Sequence, residues 1–229
     1  MQGILLVDKP RGWTSFDVVN YVRKIVAAEL GKKPKNMKVG HTGTLDPQAT
    51  GLLVVLVGKE YTKRAAELSK ANKTYEVTMQ LGMTSTTGDS EGKKTSVETG
   101  EYTQKEIEDA LQAFLGETMQ VPPAFSAMKI NGQRAYKLAR AGKEVQLEAR
   151  PIKISRIELA DYSHPHIKFV ADVSSGTYIR SLVEDIAKKL GTGAYMSDLR
   201  RTKVGTFSIE DAIDVREKTA TQIAAQLQA

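Results

Sequence analysis

The stretch Val39-Gly40-His41-Thr42-Gly43-Thr44-Leu45-Asp46-Pro47-Gln48-Ala49-Thr50-Gly51 constrains this chain more than any other. Its glycine and threonine content argues against a stable helix, and it is too short of apolar residues to be a core element. Gly40, Gly43 and Gly51 allow backbone conformations that other residues resist, and they let another molecule approach the main chain closely. One carboxylate, Asp46, stands in the middle, before Pro47, whose ring restricts the conformation of the residue preceding it. The apolar run Leu52-Leu53-Val54-Val55-Leu56-Val57 follows at once and reads as a buried strand. The expectation is a lone acid on a shaped loop at the mouth of a rigid sheet, where binding and catalytic residues tend to sit.

With 229 residues the chain can bury a sizeable core, as one large domain or two small ones. Its apolar share of 41% and charged share of 26% are those of an ordinary soluble globular protein. The net charge of +6 fits a polyanionic partner and equally fits a merely soluble protein. Zero cysteines exclude disulfides, thiolate metal sites and thiol nucleophiles. No basic leader precedes Ile4-Leu5-Leu6-Val7, and no apolar run approaches the ~20 residues that a membrane span needs. The chain therefore reads as soluble and cytoplasmic.

Gly3 to Val7 is expected as a strand, with a turn at Pro10-Arg11-Gly12. Thr14 or Ser15 caps a helix in which Val18, Val22, Ile25 and Val26 recur at helical spacing, and Gly31 ends it. The basic linker from Lys32 to Lys38 is expected to be irregular. Tyr61 to Lys70 reads as a helix, Thr74 to Leu81 as a half-buried strand, Thr84 to Lys94 as a loop and Thr103 to Leu115 as an amphipathic helix. Asn131-Gly132 is a hairpin signal, and a short basic helix from Arg134 to Ala141 follows. Strands are expected at Ile152 to Leu159 and Ile167 to Val173, a helix at Tyr178 to Leu190, two strand-like pieces flanking Gly205, and a helix-like segment from Asp211 to Gln228. Helices and strands do not alternate regularly, so the class is α+β, with a central mixed, largely antiparallel sheet flanked by helices. Residues 1–229 read as one catalytic domain, with a hairpin-helix insertion at about 120–151.

The glycine-threonine loop closely resembles the GHTGTLDPxATGLL signature of pseudouridine synthases of the TruB type. Asp8-Lys9-Pro10-Arg11-Gly12-Trp13-Thr14-Ser15 resembles that family's DKPxGxTS opening. Asn72-Lys73-Thr74-Tyr75 resembles its second motif, Gly176 to Leu182 its third, and Asp198-Leu199-Arg200-Arg201-Thr202 its closing one. The five segments occur in family order over nearly the whole chain. The resemblance implies the pseudouridine synthase fold, in which the insertion is a thumb that closes on RNA. It also implies isomerisation of uridine to pseudouridine at position 55, in the TΨC loop of tRNA. That reaction breaks the bond between ribose and N1, turns the base and rejoins it through C5, so no cofactor is expected.

On this reading Asp46 is the catalytic carboxylate, as nucleophile or as base. Arg180 is its expected bidentate partner, because guanidinium matches a carboxylate and keeps its proton. The resemblance implies that Tyr75 stacks on the target base and that Leu199 walls the pocket, although core packing describes both equally well. His41 could act as a base; the resemblance instead implies RNA binding. Lys9 is expected as a phosphate or structural contact, and Asp89 as a polar group near the pocket or a turn former. Gly43, Thr44 and Tyr178 complete the expected substrate-binding set. Three histidines without cysteine support make a metal improbable, and none is expected.

Lys32, Lys33 and Lys35 cluster in the linker, and Lys129, Arg134, Lys137 and Arg140 in the insertion. Both runs are expected to touch the RNA backbone without reading its sequence. The expected partner is the tRNA TΨC stem-loop, bound by a monomer with no obligatory protein partner. The rivals are a guide-RNA-dependent subunit of the dyskerin type and a non-catalytic tRNA chaperone. The segment from Val121 to Lys129 resembles the stand-alone enzymes. Bacterial family members commonly continue into an RNA-binding PUA domain, and none is expected within residues 1–229.

Overall fold

The computed structural model describes residues 1–126, 128–130 and 132–227. By contacts the chain divides into two compact units, Met1–Tyr75 with Leu199–Ala229, and Glu76–Asp198. The sheet is mixed and largely antiparallel, with flanking helices, as the sequence led us to expect. Among the described residues no helix is long and apolar enough to cross a membrane.

The first unit is built on β1 (Gly3–Lys9) and β3 (Thr50–Val57), antiparallel in a register that sets Leu5 opposite Val55 and Lys9 opposite Gly51. β3 is apolar from Leu52 to Val57, in keeping with cover on both of its faces. Leu53, Val55 and Val57 join Leu5 and Val7 beneath α1 (Ser15–Glu29), which supplies Val18, Val19, Val22 and Val26. Leu52, Val54 and Leu56 lie on the other face with Ile4, Leu6, Tyr61, Ala65 and Leu68. The Thr14–Asp17 capping box fixes the start of α1.

Between these elements, the linker contains a single 3₁₀ turn at Pro34–Asn36 where no regular structure was expected. β2 (Val39–His41) pairs with β3, so the signature loop begins as a short edge strand. The helix expected over Tyr61 to Lys70 is two short ones, α2 (Lys59–Lys63) and α3 (Ala65–Leu68), which meet at Arg64. The segment beyond Asp211 also differs from the single helix expected. It is a 3₁₀ turn at Val215–Glu217 and then α7 (Ala220–Ala225), because Val215 and Ile223 are each drawn into the α1 core and the chain extends at Lys218 between them. Gln228 lies outside the described residues.

The second unit holds β10 (Arg150–Ser163) and β11 (His166–Val173), antiparallel with irregularities after Ile154 and Leu159. Ile152, Ile154, Ile157, Phe169, Ala171 and Val173 form its buried face. α4 (Gln104–Gln112) and α6 (Ile179–Lys189) bring Ile107, Leu111, Leu182, Val183 and Ile186 into the core. Three strands of this unit escaped sequence reading. β5 (Met83–Ser85) and β6 (Lys94–Ser96) form a hairpin whose tip is most of the expected loop. β7 (Gly116–Gln120), polar and short, pairs with β10. Gln120 stands opposite Arg150, so the chain leaves the sheet at Gln120 and re-enters beside the same point. The excursion carries β8 (Lys129–Ile130), β9 (Gln133–Arg134) and α5 (Ala135–Arg140). β8 and β9 pair as a hairpin around Gly132; Asn131 lies outside the described residues. Two strands pass from one unit into the other, β4 (Lys73–Leu81) and β12 (Ala194–Val204); beyond Gly205, β13 (Phe207–Ser208) folds back on β12.

Candidate active site

Asp46 lies half-buried on the turn between β2 and β3, in the first unit. Several bonds give this turn its shape. The Ala49 amide donates to the Asp46 carbonyl at 3.1 Å, and the Gly12 amide to the Pro47 carbonyl at 2.8 Å. Buried Ser15, the first residue of α1, accepts from the Leu45 amide at 2.8 Å and donates to the Leu45 carbonyl at 3.1 Å. The acid is thereby held through the backbone on both sides by the turn that opens α1.

Of the two roles expected of Lys9, a phosphate or a structural contact, the geometry fits the structural one. Its side chain is wholly buried, and its ammonium donates to the carbonyls of Pro10, Trp13 and Pro47 at 3.0, 2.6 and 3.2 Å. All of an ammonium's protons are thus used inside the protein, so Lys9 ties the loop to the opening motif and has no donor left for a phosphate. Burial pulls its pKa down to about 8, against the opposing pull of Asp46.

His41 is also turned towards its own loop. The Gly43 amide donates to its Nδ1 at 3.2 Å. Burial and the charge of Arg201 lower its pKa, which favours the neutral ring that this bond requires. Thr44 is exposed at the loop surface, whereas Tyr75 and Leu199, 8% and 7% exposed, belong to the buried interior of the same unit.

Sequence reasoning missed two neighbours. Arg201, 1% exposed, donates to the Leu52 and Gly43 carbonyls at 2.7 and 3.1 Å. Lys73 is buried with its ammonium on the Ser69 and Ala71 carbonyls, both at 2.6 Å, and burial pulls its pKa down to about 8. Both residues stand inside quoted motifs, which is the only signal that could have found them.

The second unit assembles the other expected residues. Arg180 is buried at the start of α6 and donates to the Thr87 and Phe125 carbonyls at 3.0 and 2.9 Å. Its guanidinium lies 3.6 Å from the buried carboxylate of Asp89. Asp89 accepts from the Thr87 hydroxyl and from the Glu91 amide, so it is at once a turn former and a partner of Arg180. The side chain of Gln120, at the root of the excursion, binds the main chain of Tyr178 twice, accepting from its amide at 2.8 Å and donating to its carbonyl at 3.0 Å. A cavity of about 360 Å³ opens there, lined by Gln120, Met128, Arg150, Gly176 and Tyr178 among others. The linker residues Lys32, Lys33 and Lys35 are exposed in the first unit, and Lys129, Arg134, Lys137 and Arg140 in the second.

The model of the TruB family pseudouridylate synthase N-terminal domain matches residues 30–179, and that of the tRNA pseudouridylate synthase B C-terminal domain matches residues 180–227. The chain belongs to the TruB family of pseudouridylate synthases. It is similar to the tRNA pseudouridine synthase B of Clostridium novyi, 46% identical over 97% of this chain and 74% of that one. The tRNA pseudouridine synthase B of Phocaeicola vulgatus is 45% identical over 93% of this chain and 89% of the relative. Among solved structures, a chain of a Cbf5–Nop10–Gar1 complex superposes with a TM-score of 0.71 at 31% identity over 94% of this chain. This chain spans about half the length of that one (53%).

Proposed function

We propose that this protein converts uridine to pseudouridine in tRNA, at position 55 of the TΨC loop, as a stand-alone enzyme in the cytoplasm. The observation that carries the reading is Asp46, held on a turn whose backbone is braced at Leu45, Pro47 and Ala49. A carboxylate fixed in this way can act on an extruded nucleotide without first paying an ordering cost. Asp46 acts at the ribose or at the base: the bond between C1′ and N1 breaks, the detached uracil turns, and C5 bonds to C1′. The proton displaced from C5 leaves, and N1 ends protonated, so the overall change is an isomerisation.

Arg180 is the proposed partner of Asp46, Tyr75 the aromatic surface for the base and Leu199 a wall of its pocket. Asp89 supports the orientation of Arg180. His41, Gly43, Thr44 and Tyr178 shape the surface that receives the loop of tRNA, and the two exposed basic clusters carry its phosphates. The excursion from Gln120 to Arg150 acts as the thumb.

The rival reading, a guide-dependent subunit, is favoured by the likeness to the Cbf5 complex chain at 31% identity. Relatives named tRNA pseudouridine synthase B match at 43–46% over more than nine-tenths of this chain, which supports the stand-alone reading. The test is incubation of the purified protein with unmodified tRNA and no guide, followed by mapping of pseudouridine. A single product at position 55 is expected. Turnover only when a guide RNA is added would favour the rival.

A further inference from the structure

We propose that Arg201 is a positioning residue for the isomerisation: its guanidinium clamps together the two limbs of the turn that carries Asp46. The proposal rests on the reading of that turn as the reacting site.

Arg200 and Arg201 are neighbours on β12, where successive side chains point to opposite faces. Arg200 takes the wetter side and pairs with Asp8 through two bonds of 3.1 and 2.8 Å, with 36% of its side chain still exposed. Arg201 is turned inward. Its Nε donates to the Leu52 carbonyl at 2.7 Å and its Nη2 to the Gly43 carbonyl at 3.1 Å. Those carbonyls stand on either side of the segment that contains Asp46. The main chain of Arg201 adds a further contact, pairing with Gly51 in a parallel ladder. A Cβ on Gly51 would sit 2.3 Å from the Arg201 carbonyl oxygen. One residue thus touches the turn at Gly43, Gly51 and Leu52.

Packing alone would not select this side chain. A buried guanidinium carries a desolvation penalty that an apolar residue of the same volume avoids. What it offers in return is a planar fork, able to donate in two fixed directions to two separate strands of backbone; a lysine ammonium lacks that geometry. Its charge is felt around the turn as well. Lys9, Lys73 and His41 each have a pKa lowered first by burial and also by Arg201.

The test is Arg201→Lys in the full chain, with hydrogen exchange read peptide by peptide alongside single-turnover pseudouridine formation and tRNA affinity. We expect exchange to rise about tenfold in the peptide spanning residues 41–53 while β1 and α1 stay protected. The rate at saturating tRNA should fall by about 10- to 100-fold, as misplacement of a reacting group by ~1 Å would produce, with Kd changed less than about threefold. Unchanged exchange in that peptide, or a normal rate despite faster exchange, would overturn the proposal. Loss of protection throughout the first unit would also overturn it, by showing Arg201 to be an ordinary core residue. If the wild type itself makes no pseudouridine in unmodified tRNA, the reading of the site fails instead. The exchange measurement would then still report whether Arg201 holds the turn.

Discussion

At the scale of the residue, the proposed chemistry depends on one carboxylate and one guanidinium. Asp46→Asn keeps the shape of the side chain and removes its capacity as nucleophile or strong base. Turnover should drop on the order of 10⁴-fold while tRNA affinity stays within about threefold. Both are measured on one preparation, and near-normal turnover would promote the chaperone reading. Arg180→Lys keeps the charge and loses the fork. Arg180 donates to the Thr87 and Phe125 carbonyls and faces Asp89, so lysine would leave part of this set unserved. We expect a rate lowered by about 100-fold and a stability cost of about 1–3 kcal/mol in urea unfolding. An unchanged rate would exclude Arg180 from the reaction. Asp46 was legible in the sequence because its neighbours, Pro47 and the glycines, act locally on the backbone. The burial of Lys9 was not, since a lysine beside a turn ordinarily faces water.

At the scale of the element, the junction of the signature turn with β3 is tightly constrained. Gly51 has φ of +101°, a conformation that L side chains resist, and it lies against the main chain of Arg201. Gly51→Ala should therefore cost about 3 kcal/mol or more, because strain and steric clash add at one position. Urea denaturation checks this, and a cost below about 1 kcal/mol would mean that β3 and β12 separate easily at this point. The capped helices and the apolar strand β3 were readable because periodicity, caps and burial agree in them. β7 was not readable. Gly-Glu-Thr-Met-Gln carries no alternation of its own, and it is a strand because β10 offers it a ladder.

At the scale of the whole molecule, the net charge of +6 makes salt the natural probe of RNA binding. Neutralising Lys32, Lys33 and Lys35 together, or Arg134, Lys137 and Arg140 together, should weaken tRNA binding. Each lost phosphate contact should flatten the slope of log affinity against log salt by about one. The linker variant should keep its rate at saturating tRNA. The excursion variant should lose rate as well, because a closing thumb helps to exclude water from the reacting base. Equal slopes in both variants and the wild type would make these clusters solvated faces and move the RNA path elsewhere.

The sequence alone determined the family, the order of its motifs and the place of Asp46, the proposed reacting carboxylate, on a turn before β3. It could do so because each motif works over a few neighbouring residues, through glycine, proline and capping geometry. The tertiary structure alone decided which cations face inward. Lys9, Lys73 and Arg201 have the composition of a wet surface, yet each is buried because backbone carbonyls of turns and strand ends converge on it. For Arg201, and for the bond from Lys9 to Pro47, those carbonyls arrive only when segments distant in sequence meet; Lys73 uses carbonyls two and four residues away, and packing of the fold around it is what turns it inward.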